Sequence, residues 1–348
     1  MKKFELIDDL QNLLKIDEIT AVRKRVQNII SNTNRFKKEL TIQSNGNPDK
    51  ISKLYLVKEL SQIKEAYTLE RTRYYIRRLI KSLSQRKEGK INDINLNRWK
   101  EYDDLLTDSL WIIDKRDKSG AHTAGYWGNF IPQIPNQFLR RYTRKGEWVL
   151  DPFLGSGTTL IECKRLGRNG IGVELQREAA NMAGKIIGKE KNPYNITTEI
   201  INGDSTRLNF ASELKNRNCG SVQFLILHPP YWDIIKFSRN KNDLSNAKSA
   251  DEFLKMFGKI IDGTYHVLDK GRYAAVIIGD KYCSGEWIPL GFFIMQEMIK
   301  RGYKLKSTII KNFDQTTAKR NQKELWRYRA LAGGFYIFKH EYIFLFQK

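Results

Sequence analysis

VLDPFLGSGTTLIECKRLGRNGIGVEL, residues 149–175, reads as strand, glycine turn, helix and strand. An apolar run ends at Asp151, a turn carries Gly155 and Gly157, and a helix opens at Thr158. Glycines let a ligand approach the backbone, and the helix N-terminus offers unpaired N–H groups. A phosphate-binding loop does not fit, because no Lys follows Gly157 and the third glycine of a dinucleotide fingerprint is missing. The second strand ends in Glu174, an acid placed to take two ribose hydroxyls through its two oxygens. NGD (202–204) follows a third strand and sets Asp204 beside the same pocket, as an acceptor for an adenine amino group. These three acids describe a nucleoside ligand without phosphates. The plainer alternative for Asp151 is a cap on the turn.

On either side of this stretch, short apolar runs alternate with amphipathic segments from about residue 145. Strands are expected at Glu147–Pro152, Gly170–Glu174, Thr197–Ile201, Phe224–Leu227, Tyr273–Ile278, Lys304–Ile310 and Glu341–Phe346, with helices at Thr158–Leu166, Gln176–Lys189, Ala250–Leu268 and Pro289–Arg301. Apolar strands separated by helices imply parallel strands buried on both faces, hence an α/β, doubly wound sheet with ligands at the carboxyl ends of the strands.

FLILHPPYWD (224–233) marks the second site, where a buried strand ends at Leu227. Two prolines remove backbone donors and stiffen the turn, so that its carbonyls stand as fixed acceptors. Tyr231 and Trp232 offer faces on which a planar base can stack. Both motifs are expected at one sheet edge, on adjacent strands. A tight surface turn is the bland alternative for a lone PPY.

The 348 residues carry 61 Lys+Arg against 39 Asp+Glu, a net charge of +22. Such a surplus attracts a polyanion, and nucleic acid leads because no basic amphipathic anchor with a bulky apolar face stands out. Residues 1–100 hold 23 Lys+Arg and 12 Asp+Glu, half of the excess. Leu6, Leu10, Leu13 and Leu14, then Leu54, Val57, Leu60 and Ile63, recur at helical spacing, and QSNGNPDK (43–50) reads as a loop between two helical hairpins. The division expected is a basic helical domain over 1–110 and a catalytic domain over 111–348. Within RTRYYIRRLIKSLSQRK (71–87), Arg73, Arg77, Arg78 and Lys81 are candidates for phosphate contacts; a solvated helix face is the alternative. No apolar run approaches the roughly 18 residues of a membrane span, and acids interrupt the N-terminal apolar positions, unlike a signal peptide. Three widely spaced cysteines and four histidines show no metal-ligand spacing, so no metal and a reducing, cytoplasmic setting are expected.

DPFLGSGTT and HPPY resemble the methyl-donor and catalytic motifs of the DNA amino-methyltransferases, which modify adenine N6 or cytosine N4. The upstream segment 128–153, with Phe130, resembles the part that covers the methionine end of S-adenosylmethionine. The closing segment 327–348 resembles the end of the catalytic half, finishing on the sheet's edge strand. The resemblance covers roughly 122–348 and implies a Rossmann-like methyltransferase sheet. It implies S-adenosylmethionine as cofactor, held by Phe130, Asp151, Pro152, Phe153, Gly155, Gly157 and Thr158, with Glu174 on the ribose and Asp204 near the adenine. His228, Pro229, Pro230 and Tyr231 would form the catalytic turn, with Trp232 beside the DNA. Double-stranded DNA is the implied partner; a cognate restriction endonuclease and a homodimer are compatible with it.

The sequence departs from that family at His228, where Asp, Asn or Ser usually opens the turn. This blurs the choice between adenine and cytosine. A neutral imidazole nitrogen accepting one amino hydrogen, with the Pro229 carbonyl accepting another, would keep the chemistry, and the rate should then fall as pH drops through about 6.5. Little chain follows the catalytic half, so target recognition would fall to the basic N-terminal residues or to the Lys311–Arg329 segment. The alternatives are the same transfer to RNA bases or to a protein glutamine, and a nucleic-acid-binding module whose catalysis is lost.

Overall fold

The apolar runs become strands of one eight-stranded sheet. The computed structural model describes residues 3–33, 39–44, 47–123, 125–313 and 323–348. They fall into two units, Met1–Lys90 with Ile94–Leu105, and Ile91–Asp93 with Leu106–Lys348.

The first unit contains helices α1 (Lys3–Leu13) and α2 (Ile19–Thr33), strands β1 (Glu39–Ser44) and β2 (Asn47–Ser52), and helices α3 (Lys53–Lys64) and α4 (Leu69–Ser84). Leu6, Leu10 and Leu13 meet Val22, Val26, Leu56, Leu60 and Ile63 in its core. The stripe on α3 runs through Tyr55, Leu56, Leu60 and Ile63, while Leu54 is exposed. Side-chain oxygens of Ser52 and Thr68 cap α3 and α4 by accepting the N–H groups of Tyr55 and Arg71. Residues 43–50 are not the plain loop expected. β1 and β2 pair antiparallel there, from Glu39 opposite Ser52 to Ser44 opposite Asn47; residues 45 and 46 lie outside the described residues.

The second unit runs β3 (Leu110–Trp111), α5 (Gln133–Tyr142), β4 (Trp148–Asp151), α6 (Thr158–Leu166), β5 (Asn169–Glu174), α7 (Arg177–Lys189), β6 (Thr198–Asn202), α8 (Phe210–Lys215), β7 (Val222–Leu227), α9 (Ala250–Val267), β8 (Leu268–Ile278), β9 (Lys281–Cys283), β10 (Glu286–Ile288), α10 (Leu290–Lys300), β11 (Lys304–Asn312), α11 (Lys323–Gly333) and β12 (His340–Gln347). The sheet order is β3-β11-β12-β8-β7-β4-β5-β6. Apolar side chains pack both faces: Leu150, Leu225 and Val276 on one, Val149, Phe224 and Ala275 on the other.

Two expectations change. The sheet is not wholly parallel, because β12 runs antiparallel to both β8 and β11. Nor is β12 an edge strand: it lies between them, and the edges are β3 and β6. The reversal carries the first residues of β12 to the rim where β4, β5, β7 and β8 end. Of the Lys311–Arg329 segment, residues 314–322 lie outside the described residues. Among the described residues no helix is long and apolar enough to cross a membrane.

Candidate active site

The two motifs meet at the carboxyl rim, on the adjacent strands β4 and β7. In the donor turn Gly155 and Gly157 adopt φ of +53° and +86°. A side chain on Gly157 would begin 2.6 Å from Ile187 Cδ1, so this position excludes one on both counts. Asp151 is 1% exposed, and its oxygens accept the Phe153 N–H at 2.9 Å and the Thr159 hydroxyl at 2.6 Å. Burial pushes its carboxyl up to about 6, against the pull of those two donors. Asp151 therefore caps and braces the turn. Pro152 accepts the Ser205 hydroxyl through its carbonyl, and Phe153 stacks on Phe257. Thr158 is buried at the start of α6.

Glu174 ends β5 at the same rim. Its oxygens accept the Gly155 N–H and the Gln176 N–H, each at 3.0 Å, so every oxygen keeps a lone pair to offer. Burial raises its carboxyl above the usual range. Asp204 binds Thr206 through Oδ1, from both N–H and hydroxyl. Its Oδ2 is buried without a hydrogen bond, with Arg207 Nε at 3.6 Å. An orphaned acceptor of this kind suits a ligand amino group.

The HPPY turn is wired to β11 and β12. Tyr231 Oη lies 3.2 Å from His228 Nε2 and donates to Glu341 Oε2 at 2.7 Å. Glu341 Oε1 pairs with Lys311 Nζ at 3.1 Å. Tyrosine has one hydroxyl proton. With that proton given to Glu341, Tyr231 oxygen accepts from His228, so the network assigns the imidazole proton to Nε2 and leaves Nδ1 an acceptor. Desolvation lowers the imidazole to about 4; Lys311 acts in the same direction and Glu341 against both. Burial likewise raises the Tyr231 phenol, with Glu341 adding to the effect. Phe130 stands edge-on to His228, ring centroids 5.0 Å apart, and so joins the donor-side segment to this turn.

The stacking expected of Trp232 is not available. Its backbone sits at φ +52°, its indole N–H donates to the Ala247 carbonyl at 2.8 Å, and the Lys281 ammonium lies 3.9 Å from the ring centroid. Lys281 is held there by Asp233. Tyr231 is also occupied, with its ring packed close to Gly279. Trp127, 68% exposed, is the open aromatic in the segment leading to Phe130.

On α4 the four basic candidates divide. Arg73 binds Asp17 at 2.5 Å, and Arg78 binds the buried Glu59 at 2.5 Å, so both are tied into their own unit. Arg77 and Lys81 are exposed and have no such partner among the described residues. Sequence reading also missed Tyr126, which covers Gly155 and stacks on Phe237 with centroids 6.3 Å apart. Asp117, His122 and Glu162 come together as a potential ligand set that linear spacing did not reveal. Arg165 donates to both carboxylates, at 3.2 and 3.0 Å, so a guanidinium already supplies the positive charge.

An eight-stranded Rossmann-like sheet with one reversed strand, a glycine turn and three acids at its carboxyl rim defines the methyltransferase class of α/β fold. The DNA methylase model of the N6/N4 type matches residues 13–185 and 222–348, and the chain belongs to that family. The Type II methyltransferase M.MjaII of Methanocaldococcus jannaschii is 48% identical over 50 residues, 14% of this chain and 9% of that protein. The Type II methyltransferase M2.DpnII of Streptococcus pneumoniae is 37% identical over 100 residues, 27% of this chain and 34% of that protein. These matches span about a third or less of the relatives' own lengths. Among solved structures, TrmN from Thermus thermophilus aligns with a TM-score of 0.42 at 16% identity, over 64% of this chain and 50% of that one.

Proposed function

We propose that this chain methylates an exocyclic base amine, adenine N6 or cytosine N4, of a nucleotide turned out of duplex DNA. The observation that carries this reading is the meeting of the donor turn and the HPPY turn on adjacent strands, in a chain of the N6/N4 DNA methylase family. S-adenosylmethionine supplies an activated methyl group when bound. Gly155 and Gly157 give the turn the left-handed backbone it requires, Glu174 offers two oxygens to ribose hydroxyls, and Asp204 Oδ2, which lacks a hydrogen bond, suits the adenine amine.

An aromatic amine is a weak nucleophile because its lone pair is delocalised into the ring. His228 Nδ1 and the Pro229 carbonyl accept hydrogen bonds from its two hydrogens and shift the nitrogen towards a tetrahedral form whose lone pair can attack; the surplus proton of the methylated nitrogen then leaves along one of these hydrogen bonds to solvent. His228 is the catalytic residue, while Tyr231, Glu341 and Lys311 are positioning residues that hold its tautomer. Orientation then contributes much of the acceleration. Turning a base out of the duplex costs roughly a few kcal/mol, and stacking on an exposed aromatic such as Trp127 offsets part of it.

The test is radiolabelled methyl transfer from S-adenosylmethionine to unmethylated duplex DNA, with RNA and a glutamine-bearing protein in parallel. Label in DNA alone supports the reading, and label in RNA or protein alone replaces it. Donor binding without transfer to any of them supports a module that has lost catalysis.

A further inference from the structure

The loop between the HPPY turn and α9 forms the wall of an open basin of about 930 Å³. Lys236, Arg239, Lys241 and Lys248 project from this loop, and Arg207 joins them across the basin. All four loop cations are exposed, and none makes a side-chain hydrogen bond or ion pair among the described residues. One carboxylate, Glu252, lines the basin, and it accepts the Lys248 backbone N–H at 2.6 Å.

Four cations against one lining carboxylate repel one another in a free protein, and the loop that carries them is pinned by its own hydrogen bonds. Buried Asp243 accepts the Ser245 N–H and the Ser238 hydroxyl, while the Asn246 amide donates to the carbonyls of Ser238 and Asn240. The loop is also fastened to the donor side: Phe237 stacks on Tyr126, and Gln176 donates to the Phe237 carbonyl at 3.0 Å. The basin begins five residues after Tyr231 in the chain.

We propose that this basin holds successive backbone phosphates of duplex DNA beside the nucleotide presented to His228. Four loop cations without a partner among the described residues border the open basin, with Arg207 shared with Asp204; they exceed what one phosphate neutralises, and match a polyanion carrying a phosphate about every 3.4 Å along each strand. This rests on the DNA-methylation reading and assigns one set of backbone contacts to the second unit itself.

The experiment measures binding of the full chain to a fluorescent duplex across a salt series, with donor affinity by calorimetry as the folding control. Replacing Lys236, Arg239, Lys241 and Lys248 together by Gln should lower the log–log salt slope by about 0.9 for each phosphate that is no longer neutralised. Duplex affinity near physiological salt should fall at least about tenfold, equally for unrelated sequences, with donor affinity unchanged. If the fourfold variant loses donor binding, Lys241→Gln alone decides, with a slope decrease of about 0.9 expected. An unchanged slope in a folded variant of a chain that does bind duplex overturns the basin proposal and leaves the DNA reading standing. Failure of the unaltered chain to bind duplex overturns both.

Discussion

The Tyr231 hydroxyl donates to Glu341 Oε2 at 2.7 Å, tying the HPPY turn to a strand 110 residues further along the chain. Glu341 reaches this rim because β12 runs against its neighbours, so that its first residues lie where β7 and β8 end. Glu341→Gln should let the side-chain amide donate to Tyr231 and disturb the tautomer that leaves His228 Nδ1 free. Loss of one such hydrogen bond lowers single-turnover methyl transfer by about tenfold. Donor affinity should stay within about twofold, whereas a merely structural loss would lower both. An unchanged rate in the folded variant contradicts the assignment.

The pH profile separates the structural account from the expectation based on sequence alone. A His titrating near 6.5 would lose activity as pH falls through that value, because imidazolium has no acceptor. In the folded chain desolvation lowers His228 to about 4. The acid limb due to His228 should therefore move down, leaving transfer nearly flat from pH 7 to about 5. Rapid-quench rates across pH 4–8, at saturating donor and DNA, test this; a limb centred near 6.5 contradicts it.

Asp151 gives a stability prediction of the opposite sign. Its carboxyl is raised from 3.8 to about 6, so its stabilising contribution is full below the unfolded value and is lost as pH rises through about 6. Two pKa units correspond to about 3 kcal/mol. His228 is lowered from 6.5, so its contribution is present above the unfolded value and lost as pH falls towards about 4. The two partly cancel between pH 4 and 6. Asp151→Asn can still accept from Phe153 N–H and meet the Thr159 hydroxyl, which removes the buried charge. It should raise stability at pH 8 by up to about 2 kcal/mol and make stability fall more steeply on acidification. Urea unfolding at pH 8 and pH 5 measures both; an unchanged pH slope would refute the assignment.

Glu174→Ala should weaken donor binding at least about tenfold, since lost hydrogen bonds to a charged group cost roughly 1.5–3 kcal/mol each. It also frees the Gly155 and Gln176 N–H groups, so Glu174→Gln is the cleaner companion. Calorimetric titration with S-adenosylmethionine gives the answer, and equal affinity in both folded variants would place the ribose elsewhere.

On α4, Arg77→Gln with Lys81→Gln should flatten the salt dependence of duplex binding and leave stability within about 0.5 kcal/mol, as ordinary surface changes do. Arg78→Gln should instead destabilise the first unit, because it removes a partner of buried Glu59. Combined salt titration and urea unfolding distinguish them. A flatter slope from Arg78→Gln without any fall in stability contradicts this division.

The donor turn was legible because its signals are local: a strand end, two glycines and a helix start lie within ten residues. The elements around it were legible through their apolar periodicity. The place and direction of β12 were not, since HEYIFLF reads alike at an edge or in the middle of a sheet. The Lys311–Glu341 pair was hidden for the same reason, as a cross-strand contact that depends on register. Trp232 read as a stacking platform because the residue that covers it, Lys281, comes from a strand 49 residues later. Arg73 and Arg78 read as free cations because their acids, Asp17 and Glu59, lie on other segments of the first unit.

Methyl transfer to an exocyclic amine is decided by identifying the atom that receives the methyl group. Unmethylated duplex DNA incubated with the chain and methyl-labelled S-adenosylmethionine is digested to nucleosides and resolved by mass spectrometry, with His228→Ala as the paired sample. Label is expected in N6-methyladenine or N4-methylcytosine, reduced at least about tenfold in the variant although donor affinity holds. Label on a ring carbon, or equal labelling by His228→Ala, would contradict it.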